Sequence, residues 1–588
     1  MNKENKIHIL FRSITEIELD KLKGTSDKVI DFFGNSGFEN GIEYTRSQIP
    51  KDLIVHVNSD LLKKLNAFTE IQDKEEFLMD SFKYDDFYLW YYHRFRIYFK
   101  LRELFYHIEI INNQLKENFE KIVIYTDNFR LLSFFEDQPY VTVYCEESKN
   151  ESQASKLKLV KYSLRTLTHG LSHLPRIRAI KNKKNLIIVN DDHLTNGKNG
   201  SNHSYYENLL RDGDKRKFGI IRLHTISKDG GRKEKIKSLN SSYSSINSEA
   251  VLVKGMLLNP KIRSKVTTYL NDLDNKRDLW SNRLSKINML FFNELLSLRR
   301  SSKLYLIQYE CFKLFLKKSQ VQSIITISEH SSNERSILDA SKKMNIKTVG
   351  IQHGYIGRAN VSYNFLKSES RYSPAPDHTI LWGQSAKNYL VSSSCYTDES
   401  INVLGHLKTD LIAYQVAPEN VRDSSKIKND NPLILFASQP QKDEVIRLLA
   451  AKMIVDYSIS NPNHNVTIKL HPAESYDYYS KILGNKNIKN LTIVKNEVDL
   501  YKMLSLTDIV ITCFSTVGSE AIYFGKPLIT IDPLKEDIAG YAVDKVAIQV
   551  INEEELTQAI SNLISNDANY KQHYAEYIEN NVYNIDGQ

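Results

Sequence analysis

Lys469-Leu470-His471-Pro472 closes an apolar run, and roughly forty residues later come Asp508 to Glu520 (DIVITCFSTVGSE) and then Gly525-Lys526-Pro527. An ammonium and an imidazole at the tip of one strand, with hydroxyls opening a helix after another, suit a nucleotide monophosphate or diphosphate. Helix N-termini and successive backbone amides supply further donors to such anions. The last third of the chain therefore reads as a nucleotide-binding lobe.

Short apolar runs recur around this stretch: Leu433 to Ala437, Val466 to Leu470, Leu491 to Val494, Ile509 to Thr512 and Leu528 to Ile531. Continuous β-branched runs of this length fit strands of a parallel sheet buried on both faces. Between the first two, Glu444 to Ile459 places Val445, Leu448, Leu449, Met453 and Ile454 at helical spacing, as a crossover helix requires. Ligands of such sheets sit beyond the carboxyl ends of the strands, where His471 and Ser515 fall and which Ser438 and Gln439 reach. Each residue also has an ordinary reading. His-Pro is a common exit from a sheet, and Ser515 and Thr516 can serve only to cap the helix that carries Glu520. Their joint placement on one rim favours the binding reading, with Gly518 expected to leave the helix start open.

The KLHP turn, the FSTVGSEA segment and the GKPLITID strand resemble the C-terminal lobe of GT-B glycosyltransferases of bacterial surface polysaccharides. Nearest in pattern are the sialyl- and Kdo-transferases that use CMP-sugars and the CDP-glycerol glycerophosphotransferases. The resemblance implies that His471, Pro472, Ser515 and Thr516 bind the nucleotide and its phosphate. Many retaining GT-B enzymes carry two glutamates eight apart; here Glu520 is present and Thr512 stands at the earlier position. That departure argues against a simple UDP- or GDP-sugar retaining pattern.

Residues 323 to 410 read as the end of a second α/β lobe. Strands are expected at Ser323 to Ser328, Lys347 to Gln352, His378 to Trp382 and Ile401 to Leu404, and a helix at Asn333 to Met344. The phrase NIKTVGIQHGYI is similar to the strand that ends in a Gln-His-Gly turn in many surface-carbohydrate transferases. The cleft would then face Gln352, His353 and Arg358 on one side and His471 on the other. This lobe begins at Asn185, where Leu186 to Val189 is a strand running into Asn190-Asp191-Asp192-His193, followed by the element Tyr205 to Arg211 and the strand Phe218 to His224. Asp191 or Asp192 is a candidate general base, since a carboxylate against an apolar wall has its pKa raised toward neutrality; the pair can equally cap the next element. Glu329 and His330 are a rival pair at a strand tip, with Ser331 and Ser332 offering a plain helix entry as the alternative. His353, Glu329 and Asp191 stand close together as candidate bases.

A third unit precedes these lobes. Lys6 to Phe11, Leu53 to Val57, Ile122 to Tyr125 and Val141 to Tyr144 read as strands, around one long aromatic helix from about Glu75 to Glu120. Its Tyr88, Leu89, Tyr92, Phe95, Tyr98 and Phe99 are read mostly as core aromatics. Helix followed by strand, ending in Thr126-Asp127, echoes the later run Met289 to Glu329. Ser152 to Asn190 holds no acid and nine Lys or Arg, interleaved with leucines. Such a segment lies on anionic lipid, grips an acidic polymer, or is simply a solvated linker.

At 588 residues the chain has room for about three or four domains on the length prior. The division expected is an N-terminal α/β domain at 1–150, a basic linker at 151–184, an acceptor-side lobe at 185–410 and a nucleotide-side lobe at 411–588. No run of eighteen apolar residues and no signal-peptide pattern is present, and Cys145, Cys311, Cys395 and Cys513 lack zinc or disulfide spacing. A cytoplasmic protein with peripheral contact at the inner membrane face through 152–184 is expected. The net charge of +8 comes with no nucleic-acid motif, so nucleic acid is not an expected partner.

These readings converge on an α/β protein with two Rossmann-like lobes and an additional N-terminal α/β domain. The expected activity is transfer of a sugar, with a CMP-sugar favoured as donor, to a surface polysaccharide or lipid-linked glycan. Lys469, His471, Ser515 and Thr516 would hold the donor phosphate, so no metal and no cofactor is called for. Two alternatives stay open: a nucleotide-sugar epimerase of the same two-lobe design, and a non-catalytic partner of polysaccharide assembly or export.

Overall fold

The computed structural model describes residues 6–581 apart from 24–26, 34–42, 48, 118, 147–166, 169, 191–193, 198–199, 204–205, 207–213, 224–242, 359, 407–430, 440–443, 472–473, 485, 496–497 and 566–570. The chain divides into two compact units: Met1–Leu78 with His93–Lys161 and Asn275–Ser297, and Met79–Tyr92 with Tyr162–Asp274 and Leu298–Gln588.

The first unit carries a parallel sheet of β1 (Lys6–Leu10), β2 (Lys28–Asp31), β3 (Glu43–Arg46), β4 (Lys121–Thr126) and β5 (Val141–Cys145), in the order β3-β2-β1-β4-β5. The segment Leu53 to Val57, expected as a strand, lies in the helix Lys51–Phe68. Ile54, Val57, Leu61, Leu65 and Phe68 are all buried on it at spacings of three and four, a period visible only over a window longer than five residues. The aromatic helix is shorter than expected, running Trp90–Lys116. Before it the chain makes two small hairpins, Gln72–Asp73 with Glu76–Phe77 and, in a stretch assigned to the second unit, Lys83–Tyr84 with Phe87–Tyr88. Lys74 and Asp85, both at φ 56°, turn the chain at their tips and interrupt the helical pattern. Leu89, Tyr92 and Tyr98 are buried, whereas Tyr88, Phe95 and Phe99 are half-buried.

The second unit contains two lobes. The first lobe has β6 (Asn185–Asn190), β7 (Phe218–Leu223), β8 (Ser245–Asn247), β9 (Ser323–Thr326), β10 (Lys347–Ile351), β11 (His378–Leu381) and β12 (Ile401–Val403), in the order β8-β7-β6-β9-β10-β11-β12. The second has β13 (Leu433–Ala437), β14 (Asn465–Lys469), β15 (Leu491–Val494), β16 (Ile509–Thr512), β17 (Leu528–Ile531) and β18 (Ile548–Val550), in the order β15-β14-β13-β16-β17-β18. All of these strands are parallel. Each of the three sheets winds outward from its first strand and reverses between its first and fourth. The echo between the run ending at Thr126 and the run ending at Glu329 has a topological cause, because both feed the fourth strand of such a sheet. At both strand ends a threonine hydroxyl accepts the amide two residues on, Asn128 at 3.0 Å and Ser328 at 3.1 Å.

The second lobe shows why its strands read as unbroken apolar runs. Ile434, Phe436, Val466, Ile468, Ile509, Ile511, Ile529 and Ile531 face one core, roofed by Ala450, Ile454 and Tyr457 of helix Glu444–Ser460 and by Leu556, Ile560 and Leu563 of helix Glu553–Ile564. Leu435, Val510 and Leu528 face the other, against Leu504, Ala521, Ile522, Tyr574 and Tyr577. Both faces are dry, as a doubly wound sheet requires. Along Glu444–Ser460 the buried stripe is Ile446, Ala450, Met453, Ile454 and Tyr457, and Leu448, expected on it, is exposed.

Candidate functional site

In sheets that reverse in this way the crevice beyond the carboxyl ends of the first and fourth strands is where a ligand sits. In the second lobe, Ala437 pairs with Lys469 on one side and Thr512 on the other, so two spacings of about 4.8 Å put those Cα atoms roughly 10 Å apart. The loops carrying Ser438, His471 and Ser515 thus leave the sheet side by side.

Their side chains are used in different ways. His471 is exposed at the tip. Lys469, expected on phosphate, has its ammonium on the carbonyl oxygens of Lys495 and, at 3.5 Å, Leu470. Ser438 is buried, donating to Glu474 at 2.9 Å and meeting the Tyr479 hydroxyl at 2.6 Å. Gln439 accepts the Phe514 amide at 2.8 Å, tying the exit of β13 to that of β16. The Ser515 hydroxyl accepts the Val517 amide at 3.2 Å, and Thr516 sits at the N-cap of helix Val517–Tyr523 with no capping bond from its side chain. Glu520 is buried one turn in, with the Tyr501 hydroxyl at 3.3 Å. Gly518 does not leave the helix start open: a Cβ there would lie 2.6 Å from the Tyr541 ring, and the Tyr541 hydroxyl donates to the Ser515 carbonyl at 2.7 Å. Pro472 lies outside the described residues.

Glu474 is the residue of this rim that the sequence reading missed. Its side chain is wholly buried and accepts from the His471 amide at 2.8 Å, from Ser438 and from Arg447 at 3.0 Å. A glutamate three residues past an exposed histidine, just ahead of a helix, resembles a capping turn and was the available signal.

In the first lobe, Glu329 and His330 follow β9 and His353 follows the adjacent β10. Parallel pairing of these strands brings the three side chains together, each offering one ligand atom within 4.8 Å of the others. The imidazoles of His330 and His353 stack with centroids 5.2 Å apart and planes 15° from parallel. This group of an acid and two imidazoles has the donor chemistry of a divalent-cation site as well as of a proton-transfer site. Glu329 is 3% exposed and neither of its oxygens makes a well-formed hydrogen bond. Burial pushes its carboxyl up to about 7, only partly offset by its own amide and the Tyr363 hydroxyl. Gly350 of β10 makes room for it, since a Cβ there would come within 3.3 Å of the carboxyl. Beneath it, burial raises Glu334 to about 8 although the Thr326 hydroxyl donates to it.

Gln352 serves the backbone: its Oε1 accepts the Trp382 amide at 2.9 Å and its Nε2 donates to the Gly354 carbonyl at 3.0 Å, fixing the turn that presents His353. Arg358 is exposed, and its carbonyl accepts from Asn364 at 3.2 Å. Asp191 and Asp192 lie outside the described residues.

The two lobes touch next to this turn. Tyr355, two residues past His353, packs against the Tyr541 core, and Gly540, at φ +70°, brings its backbone under the Tyr355 hydroxyl, which a Cβ would approach to 3.0 Å. The helix Tyr574–Asn581 returns to the first lobe so closely that a Cβ on Gly383 would lie 2.3 Å from Asn581. Between them, Ser385, Asn388, Asp544, Lys545, His573 and Glu576 help line a polar cleft of about 510 Å³.

Among the described residues no helix is long and apolar enough to cross a membrane. No curated protein matches the chain in sequence. Solved structures with a similar layout include the wall teichoic acid polymerase TagF, at a TM-score of 0.42 and 13% identity over 73% of this chain and 94% of that one. A glycosyltransferase from Rickettsia africae follows at 0.37 and 13%, over 69% and 95%. A Listeria monocytogenes protein assigned as a UDP-N-acetylglucosamine 2-epimerase stands at 0.41 and 11%, over 69% and 93%. Residues 386–583, which hold the whole His471 and Ser515 rim, match the family model described as capsule polysaccharide biosynthesis protein.

Proposed function

We propose that this chain is a glycosyltransferase of surface-polysaccharide synthesis, taking a sugar from a nucleotide-activated donor and passing it to a growing polysaccharide or lipid-linked glycan. The observation that carries the reading is the pairing of two switch-point rims in one unit: an exposed imidazole beside a hydroxyl-bearing helix start on the second lobe, and the Glu329, His330 and His353 group on the first. The match of residues 386–583 to the capsule family sets the polymer context.

On this reading His471 and the Ser515 and Thr516 hydroxyls, at the start of helix Val517–Tyr523, face the donor phosphate and offset charge on the leaving group. His353 takes the proton of the acceptor hydroxyl, with Glu329 beside it to stabilise the imidazolium that forms. Asp191 is the competing base. A CMP-sugar is the favoured donor because Lys469, Lys495 and Arg447 are all turned to protein oxygens, which leaves little free positive charge for a diphosphate. With the phosphate held by protein groups, turnover proceeds without a metal and survives chelation. Turnover abolished by a chelator and restored by a divalent ion would instead assign the cation to Glu329, His330 and His353. The basic segment 152–184 supplies peripheral contact with an anionic membrane.

A thermal-shift panel of CMP, CDP, UDP and GDP tests the assignment. Ligand at a hundred times its Kd stabilises the native state by about 2.7 kcal/mol, and CMP is expected to give the largest shift. No shift with any of the four sinks the transferase reading in favour of a non-catalytic assembly partner. Turnover of a nucleotide-sugar with no acceptor present moves the assignment to an epimerase, the activity assigned to one of the similar structures.

A further inference from the structure

We infer that Glu474 is the positioning residue of the second-lobe rim, a buried anion that ties three strand exits and the crossover helix into one binding surface; the inference rests on reading that rim as the nucleotide site. The sheet's own ladder ends where the rim begins. Ser438 still donates its amide to the Lys469 carbonyl at 2.9 Å and Leu470 its amide to the Val494 carbonyl at 2.8 Å, and among the described residues the chains leaving β13 and β14 make no further backbone bond to each other.

Glu474 takes over there. Oε1 accepts the Ser438 hydroxyl from the β13 exit and the Arg447 guanidinium from helix Glu444–Ser460. Oε2 accepts the His471 amide from the β14 exit. The residue's own amide donates to the His471 carbonyl at 2.9 Å, which closes the turn from both sides. Its carbonyl accepts the Lys495 ammonium at 2.6 Å from the β15 exit. Gln439, next to Ser438, carries the connection on to Phe514 and the β16 exit. Arg447 is itself held over the Tyr478 ring at 3.5 Å.

Charge-assisted bonds of this kind are short, directional and roughly twice as strong as neutral ones. The wholly buried carboxylate therefore fixes the height and direction of the His471 turn relative to the Ser515 loop. Glu474 touches no ligand; it acts through His471 and Ser438, so its loss falls on ligand binding rather than on the chemical step.

The test is Glu474→Gln in the full chain, with CMP as the probe in calorimetry and a donor titration in steady state. The expected result is a CMP Kd and a donor KM raised about tenfold or more, the fold-change of one charge-assisted hydrogen bond, with kcat at saturating donor and the acceptor KM unchanged. His471→Ala is expected to weaken CMP similarly, and the double variant to weaken it by less than the two single effects combined, because Glu474 acts in part through His471. If Glu474→Gln does not fold, Ser438→Ala removes one donor to the carboxylate and is expected to raise the CMP Kd about threefold. Wild-type protein that binds CMP while the folded variant, Glu474→Gln or Ser438→Ala, binds it equally overturns the positioning role and leaves the nucleotide site standing. Wild-type protein that binds none of the four nucleotides removes both.

Discussion

Each lobe of the second unit buries a glutamate at its switch point, and the two are treated in opposite ways. Glu474 is surrounded by donors: an amide, a hydroxyl and a guanidinium converge on its two oxygens. Glu329 has neither oxygen in a well-formed hydrogen bond, and beside it lie two stacked imidazoles. A buried ion is tolerated when it is paired and bonded, and otherwise shifts its pKa and neutralises. The first arrangement makes a rigid scaffold; the second makes a group poised to exchange a proton near neutral pH. The switch point of the first unit shows a third treatment. There Arg12 is buried and bonded to Glu18 and to the Ser13 and Thr126 carbonyls, so its charge is met by the protein itself.

The contrast breaks most sharply if the second rim is made to look like the first. Arg447→Ala leaves Glu474 buried without its cation and also removes the guanidinium from the Tyr478 ring. Losing one partner of a buried pair destabilises by about 3–5 kcal/mol, and urea unfolding of the variant is expected to show a loss of that size. A loss below about 1 kcal/mol would mean that the hydroxyl and amide alone satisfy the carboxylate, and that the two rims differ less than their hydrogen bonds suggest.

The opposite change is made at the first rim with Glu329→Gln. The folded carboxyl titrates at about 7 and the unfolded one near 4.5, so between those values the folded chain holds a proton that the unfolded chain releases. Stability from this group is intact below pH 4.5 and lost as pH rises through 7, by about 3 kcal/mol for two to three units at about 1.4 kcal/mol each. The carboxamide cannot ionise. The variant is therefore expected to match wild type at pH 4 and to exceed its stability at pH 8, while transfer activity falls. Equal unfolding curves at both pH values would remove the uncompensated acid from the account. Glu334, raised in the same direction, is present in both proteins and cancels to first order.

What was legible in the sequence follows from the same physics. Strands such as Leu433–Ala437 and Ile509–Thr512 announce themselves because both faces are dry, which leaves a continuous apolar run. The β2 strand Lys28–Asp31 and the β3 strand Glu43–Arg46 were invisible for the converse reason: each is short, and Glu43, Arg46 and Lys28 give them no such run. The stretch around Ile54 and Val57 misled because five apolar-rich residues fit either period. His330 and His353 were each legible as strand-tip residues, but their stacking depends on β9 and β10 being neighbours, which local pattern does not state. Glu474 offered only the local signal of a glutamate three residues after His471; its role, like the engagement of Lys469, is set by partners that only the fold brings near, such as Arg447 and the Lys495 carbonyl.

The smallest expected effects come from a pair of glycines, one at each rim, and they sharpen the contrast between scaffold and open site. At Gly518 an added methyl lies 2.6 Å from the Tyr541 ring, which is fixed by its bonds to the Ser515 carbonyl and the Ser519 amide. The ring has nowhere to go, so Gly518→Ala is expected to behave as overpacking and lose about 1–3 kcal/mol, with weaker CMP binding as the Ser515 loop shifts. At Gly354, next to His353, a Cβ meets nothing within 4 Å, and no left-handed backbone angle demands glycine there. Gly354→Ala is expected to leave stability within about 0.5 kcal/mol of wild type, since the surface change touches no packed neighbour. Thermal unfolding of the two variants side by side checks the pair. If Gly354→Ala proves as destabilising as Gly518→Ala, the turn presenting His353 is as tightly packed as the Ser515 loop, and the space in front of the imidazole is not available to an acceptor.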